Sequence, residues 1–281
     1  MENYLVDLHS HTSDFSHFIF EEIDKKKYAQ NLIEKLSKSG SRVVLGVSNF
    51  NDDGRYENLV SAFKLLRPKK YIIDFTHEDY FIKIRFGNKK IWFIKTDEIG
   101  TEKGHILIVG YRGKIGTRRI SKVLTKAHRE GCVIIANHPL HGPSFLYALM
   151  SKIIGENTAF SFNEKELIEK IPDLDAIELN SYFPEDWKKI RRFAKKHSLR
   201  VISGSDAHFF SELFTSHFIL KRLDFSNVES YKSSFHREFK QKIRVYAKKH
   251  SFFAEYKHGI QVLFFENLLR QIGIVKGSKR P

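Results

Sequence analysis

The chain has 281 residues, of which 41% are hydrophobic, and a formal net charge of +15. This length and apolar content support a sizeable core in one large α/β domain or two small ones. No run reaches the roughly eighteen apolar residues of a membrane-spanning helix, and the opening MENYLVDLHSH has no basic region before an apolar block, so no signal peptide is expected. Cys132 is the sole cysteine, which excludes a disulfide framework and leaves any metal site at most one thiolate. The fourteen histidines instead suit imidazole-based metal chemistry in a reducing cytoplasm.

In chain order, Tyr4 to Leu8 reads as a strand and Lys25 to Ser39 as a helix with Tyr28, Leu32, Ile33 and Leu36 on one face. Gly40 is expected to end that helix as a left-handed cap. Arg42 to Val47 is the next strand, and Tyr56 to Leu66 the next helix, stopped at Pro68. A hairpin follows, with Tyr80 to Phe86 and Lys90 to Ile94 flanking the turn Gly87-Asn88. Ser121 to Glu130 leads as a helix into the strand 132–136. Glu164 to Lys170 leads into 175–179, and Trp187 to His197 into 200–203. Ser216 to Lys221 is a further strand. This alternation predicts parallel strands with helical crossovers, in a β/α barrel or a doubly wound sheet.

The strand ends share a chemistry. Apolar runs finish in His9 and His11, then Asn49, Glu98, His138, Glu178, and Asp206 with His208. Alternate residues of a strand point to one side, so His9-Ser10-His11 and Asp206-Ala207-His208 can each aim two ligands at one point. In β/α barrels, distant residues converge at the C-terminal strand ends. Imidazole and carboxylate without thiolate suit zinc, manganese or iron. The candidates are too many for one ion and suggest two or three, with Glu98 bridging a pair. Paired ions about 3.5–4 Å apart suit hydrolysis of phosphate esters. Glu178 and Asn180 share a strand face and suit hydrogen bonding to ligands. His141 reads as a surface histidine and Cys132 as a small core residue.

The charge is concentrated late. Val228 to Pro281 holds twelve Lys/Arg against four Glu, a net of +8. Basic residues alternate there with aromatics, as in Phe235-His236-Arg237 and Arg244-Val245-Tyr246, a pattern that can grip single strands or pack a helix onto the barrel.

Together these residues resemble the polymerase and histidinol phosphatase (PHP) superfamily. Asp7-Leu8-His9-Ser10-His11-Thr12 is similar to its first motif, Glu98 with Gly104-His105 to its strand-end glutamate and following histidine, Ala136-Asn137-His138-Pro139 to its third motif, and Gly204-Ser205-Asp206-Ala207-His208 to its fourth. The resemblance spans residues 4 to about 221. It implies a distorted (β/α)7 barrel with up to three metals, while the element pattern itself reads as one catalytic domain over residues 1–225 and a basic, aromatic-rich helical extension, 226–281, expected to pack on the barrel. The resemblance implies that His9, His11, Glu98 and Asp206 hold one metal, that Glu98, His105 and His138 hold a second, and that His17 and His208 contribute to a third. The family's second motif ends in Thr-Asp-His where this chain has Ser48-Asn49-Phe50. The third site thereby loses an imidazole, which Asn51, Asp52 or Asp53 would have to replace.

The expected function is a cytoplasmic, metal-dependent phosphoesterase in which a metal-bridging hydroxide attacks phosphorus and His208 or His105 protonates the leaving oxygen. The substrate is expected to be a nucleotide or nucleic-acid end, with nucleic acid held through the basic tail and no membrane partner. The alternatives are a histidinol-phosphatase-like phosphomonoesterase and a non-catalytic, metal-stabilised nucleic-acid-binding module.

Overall fold

A computed structural model describes residues 3–11, 24–67, 70–141, 161–208 and 210–248. The chain order is β1 (Tyr4–Asp7), α1 (Lys25–Ser37), β2 (Arg42–Phe50), α2 (Arg55–Lys64), β3 (Tyr71–Asp74), β4 (Phe81–Phe86), β5 (Lys89–Gly100) and β6 (His105–Val109). There follow α3 (Ile120–Arg129), β7 (Val133–Ala136), α4 (Glu164–Lys170), β8 (Ala176–Asn180), α5 (Trp187–Lys196), β9 (Arg200–Gly204), β10 (His217–Leu220), α6 (Val228–Phe239) and β11 (Arg244–Tyr246). No described helix is long and apolar enough to cross a membrane.

All eleven strands form one sheet, with nine along its main path in the order β11-β10-β1-β2-β5-β6-β7-β8-β9. The sheet is a nearly closed barrel, not the seven-unit β/α barrel expected. It is also mixed. The pairs β1–β2, β2–β5, β7–β8 and β8–β9 are parallel, while β5–β6, β6–β7 and β1–β10 are antiparallel. The short link 101–104 after β5 leaves room only for a reversal, since a parallel return needs a crossover of a dozen residues or more. The Gly87-Asn88 hairpin forms as predicted, with Phe86 opposite Lys89. The part of the C-terminal segment described is not all helical: β11 pairs antiparallel with β10.

The period of two along each strand sorts the core. Val43, Leu45 and Val47 of β2 face outward and pack under α1 and α2 with Leu32, Ile33, Leu59 and Phe63. Val44 faces inward with Val6, Trp92, Leu107 and Ile202, and α6 packs Tyr231, Phe235 and Phe239 into this inward cluster. Helix α1 starts at Asp24, whose side chain accepts from Lys27 N. Gly40 is not a left-handed cap, because its φ is not positive. A Cβ there would lie 2.7 Å from Leu5 Cδ1, so close packing explains the glycine.

The ends of the sheet meet through side chains and loops. Ser203 Oγ donates to His217 O at 2.7 Å and reaches Tyr246 O at 3.1 Å. At the C-terminal rim, Asp206 N donates to His9 O at 2.8 Å and His11 N to Ala207 O at 2.7 Å.

Outside the barrel, beneath α2, Asp97 is wholly buried near Lys95, with Asn49 Nδ2 donating to it at 3.3 Å. Burial pushes its carboxyl up to about 8, against the pull of Lys95. A carboxyl raised in the folded state contributes stability below its unfolded value near 4 and loses it as pH rises through the folded value. Asp97→Asn is therefore expected to gain on the wild type between pH 4 and 8, read as a melting-temperature difference that grows with pH.

Candidate metal centre

The inward positions of the upper barrel are polar. Glu98 lies on the same face of β5 as Trp92 and Ile94, and Glu178 and Asn180 lie on one face of β8. The β5–β6 reversal sets His105 opposite Gly100 and brings its Nδ1 to 2.8 Å from Glu98 Oε1. His138 follows β7, with Nε2 3.3 Å from the same oxygen. The other oxygen of Glu98, Oε2, lies 3.3 Å from His9 Nε2 and 3.0 Å from His11 Nε2. Asp206 Oδ1 is 3.3 Å from each of those two nitrogens. Two groups of potential ligands result, His9-His11-Asp206 and Glu98-His105-His138. Glu98 reaches into both.

The donors fit a cation. Zinc bonded at about 2.0–2.1 Å to four tetrahedral N and O donors keeps them about 3.3 Å apart. The two Nε2 atoms lie 3.1 Å apart. Burial alone would depress His9, but Asp206, Glu178 and Glu98 hold it well above the ordinary histidine range. For His11, burial and the nearby Arg55 charge pull downward, and hydrogen bonds with Asp206 and Glu98 leave it raised. Two protonated nitrogens cannot point hydrogens at each other across 3.1 Å. A shared cation removes that conflict and serves the same carboxylates. Burial would raise Glu98 and Asp206, but the surrounding imidazoles keep both well below the usual carboxylate range, ionised and ready to ligate. Burial dominates at His138 and lowers it, which favours the neutral ring a metal needs.

The ligands are held from behind. Glu178 Oε1 lies 2.9 Å from His9 Nδ1, and His138 N donates to Glu178 Oε2 at 3.2 Å. A carboxylate on the far ring nitrogen fixes tautomer and orientation. Asn180 Nδ2 donates to Asp206 Oδ2 at 3.1 Å. Asp7 is buried and accepts from Ser205 N at 3.1 Å and Ser205 Oγ at 2.5 Å, tying the start of the first motif to the last. Burial lifts its carboxyl to about 7 against those bonds. Two candidate ligands carry left-handed backbone, Asp206 at φ 50° and His138 at φ 27°, conformations that cost energy for residues with a Cβ.

The remaining sequence candidates fall in different places. His208 lies at the edge of the site, with Nε2 3.5 Å from Asp206 Oδ1 and its ring stacked on His11 at 4.7 Å. His17 lies outside the described residues. Asn49 faces away, because it shares the outward parity of Val43 and Val47. Its Oδ1 accepts from Tyr56 N at 2.8 Å and its Nδ2 donates to Glu57 and Asp97. Phe50 has the inward parity and sits 5.7 Å from the His105 ring. Among the described residues, none of the three acceptors after it joins a ligand group. Asn51 Oδ1 accepts from Gly100 N, Asp52 accepts from Ile115 N and Gly116 N, and Asp53 pairs with Arg55 at 2.7 Å. His141 is not a surface histidine. Its side chain is 9% exposed, with Nδ1 2.6 Å from Asp186 Oδ2, and its ring lies 4.0 Å from Phe183, which also contacts His138.

The bracing role of Asp7, the buried Arg55 and the Phe183 wall were not foreseen. For Asp7 the signal was present, since it lies two residues before His9. For Arg55 and Phe183 nothing local distinguished them from ordinary helix and turn residues.

No protein-family model matches the chain, and no curated protein matches it. Among solved structures, PsfC from Pseudomonas syringae PB-5123 superposes with a TM-score of 0.57 at 12% identity, covering 97% of this chain and 99% of PsfC. That likeness is one of fold. A looser match, at a TM-score of 0.41 and 12% identity over 73% of this chain and 87% of the other, is a protein from Bifidobacterium adolescentis ATCC 15703 proposed to be a metal-dependent phosphoesterase.

Two measurements test the site. A Cβ on Gly204 would lie 2.1 Å from Glu178 Oε1 and 2.9 Å from His9 Cβ. Gly204→Ala should therefore displace Glu178 and weaken metal affinity by about 10–100-fold, the usual effect of losing such a support; calorimetric titration with circular dichroism as a folding control reads this. Because His9 is held toward its protonated form, metal uptake near pH 7 should release protons. Acidification of a weakly buffered sample on adding zinc would register it, and the release should shrink as pH rises.

Proposed function

We propose that this chain is a metal-dependent phosphoesterase of the PHP kind, acting on a phosphate ester of a nucleotide or of a nucleic-acid end. The observation that carries this reading is the division of Glu98, whose Oε2 belongs with His9 and His11 and whose Oε1 belongs with His105 and His138. Paired ions a few ångströms apart call for a carboxylate shared in this way. In this reading His9, His11, Asp206 and Glu98 hold one divalent ion, and Glu98, His105 and His138 hold another. Manganese, zinc or iron suits such N and O donors. His17 and His208 would serve a third position, weakened by Phe50. Bound ions supply Lewis acidity, lowering the pKa of water and offsetting phosphate charge.

The protein's own groups do the rest of the work. Glu178 keeps the His9 ring aligned, and Asn180 fixes the Asp206 carboxylate. Phe50 and Phe183, beside His105 and His138, restrict water on their side of the site. Arg55 is buried and held by Asp53, and its charge is felt at His11, so it keeps a fixed positive group on that side of the site. His208 at the edge of the site donates the proton to the leaving oxygen, with His105 as the other candidate donor. Residues to about 225 form the catalytic unit in this reading, 226–281 are an extension, and the chain works in a reducing cytoplasm.

With manganese supplied, the wild type is expected to release phosphate from a panel of phosphomonoesters, dinucleotides and labelled oligonucleotides. His9→Ala and Asp206→Ala should each lower kcat by more than the ~10–100-fold typical of losing an outer hydrogen-bond partner, with the far-ultraviolet circular dichroism unchanged. A well-folded wild type that binds metal but hydrolyses nothing in the panel would leave the metal-stabilised binding module standing instead.

A further inference from the structure

The end of the barrel opposite the ligands is strongly basic. A cavity of ≈ 650 Å³ there is lined by Lys221, Arg222, Arg237, Lys242 and Arg244. Among the described residues its one acid is Glu238, which is buried, and whose Oε2 accepts from Lys221 N at 2.8 Å. A second cavity of ≈ 300 Å³ shares Lys242 and Ile243 with the first and adds Arg191 and Arg200. Two of these guanidiniums are pinned: Arg237 donates to Arg222 O at 2.6 Å, and Arg200 donates to Phe239 O and Lys240 O at 3.0 and 2.9 Å. Among the described residues, Lys221, Arg222, Lys242 and Arg244 are matched with no carboxylate.

Strand β11 leads away from this basic end. It runs antiparallel to β10, and β10 runs antiparallel to β1, so β11 points the same way as β1, toward the rim that carries His9 and Asp206. Exposure alternates along it. Lys242, Arg244, Tyr246 and Lys248 lie outward, while Ile243, Val245 and Ala247 are partly covered. Tyr246 is 43% exposed, and its ring stacks on His217 at 5.1 Å and 15°. The outward face of the strand is thus a line of cations with one propped aromatic ring among them.

We infer that the basal cavities and the outward face of β11 form a track for single-stranded nucleic acid, with Tyr246 stacking a base and Lys242, Arg244 and Lys248 meeting phosphates. Charge along a backbone path combined with an aromatic platform is how single strands are held without regard to sequence. The track deepens the reading of a nucleic-acid end as substrate, because it leads toward the ligand rim. Lys242 to Lys248 spans ~20 Å of extended chain, the length of roughly six stacked nucleotides at ~3.4 Å each. Strands shorter than that cannot occupy the whole track.

The test is fluorescence anisotropy of the full-length chain with a labelled 20-nucleotide single strand in EDTA, so that binding is read apart from any hydrolysis. Binding is expected, with an affinity that falls as salt rises. Lys242→Glu with Arg244→Glu should weaken it at least about tenfold and reduce the slope of log K against log salt by about 1.4, from ~0.7 per phosphate contact. Tyr246→Ala should weaken it about fivefold or more with the slope unchanged, and Tyr246→Trp should retain it. Melting temperatures check that each variant is folded. The inference is overturned if the wild type does not bind, or if Tyr246→Ala binds as well as wild type. It is also overturned if reversing the exposed Lys114, Arg118 and Lys122 is equally damaging, or if a trinucleotide competes as well as the 20-mer. Loss of hydrolysis with binding intact would count against the phosphoesterase reading alone.

Discussion

Two backbone hydrogen bonds, from Asp206 N to His9 O and from His11 N to Ala207 O, join segments nearly two hundred residues apart. Everything at the upper rim depends on that join. It closes the barrel where its sheet ladder has stopped, and it brings the first and last ligand pairs within about 3.3 Å of each other. Asp7 reinforces it from below by accepting from the main chain and the hydroxyl of Ser205. A buried carboxyl lifted to about 7 is an expensive brace. It is tolerated because the bonds it accepts from Ser205 set the register of the segment that carries Asp206.

Glu98 then organises what the closure encloses. It lies near the C-terminal end of β5, the longest strand, between Phe50 of β2 and Leu107 of β6. Its carboxylate is therefore fixed by backbone on either side before any side chain touches it. The four imidazoles around it differ in character. His9 and His11 are pulled toward protonation by the acids, whereas His138 is driven toward neutrality by burial. A single carboxylate with separate imidazole pairs on its two oxygens is the geometric basis for proposing two ions.

Much of this could be read from residue order. Strand and helix positions were close, because runs such as Val133–Ala136 and helices such as Glu164–Lys170 carry strong period signals. His9, His11, Glu98, His138 and Asp206 were also legible, since each closes an apolar run, whereas His105 opens β6 and was legible only through the resemblance. Two things were hidden and one was legible but passed over. Strand direction depends on connection geometry, so the reversals at β6 and β10 were missed. Parity could have shown that Asn49 faces outward, had the register of Val43, Leu45 and Val47 been followed to the strand end. His141 was misread because its partner Asp186 lies on a distant turn, and only tertiary packing brings the two together.

The left-handed backbone at Asp206 and His138 has a consequence for how this site can change over generations. At most metal-binding positions only the ion selects the side chain. Here the main chain selects it as well, because aspartate, asparagine and histidine tolerate positive φ far better than branched residues do. Drift at these two positions is steered toward asparagine or glycine, and valine or isoleucine is barred whatever the side chain binds. A descendant that had lost these two side chains would keep the kink and show it as a small or amide residue in an otherwise apolar strand end.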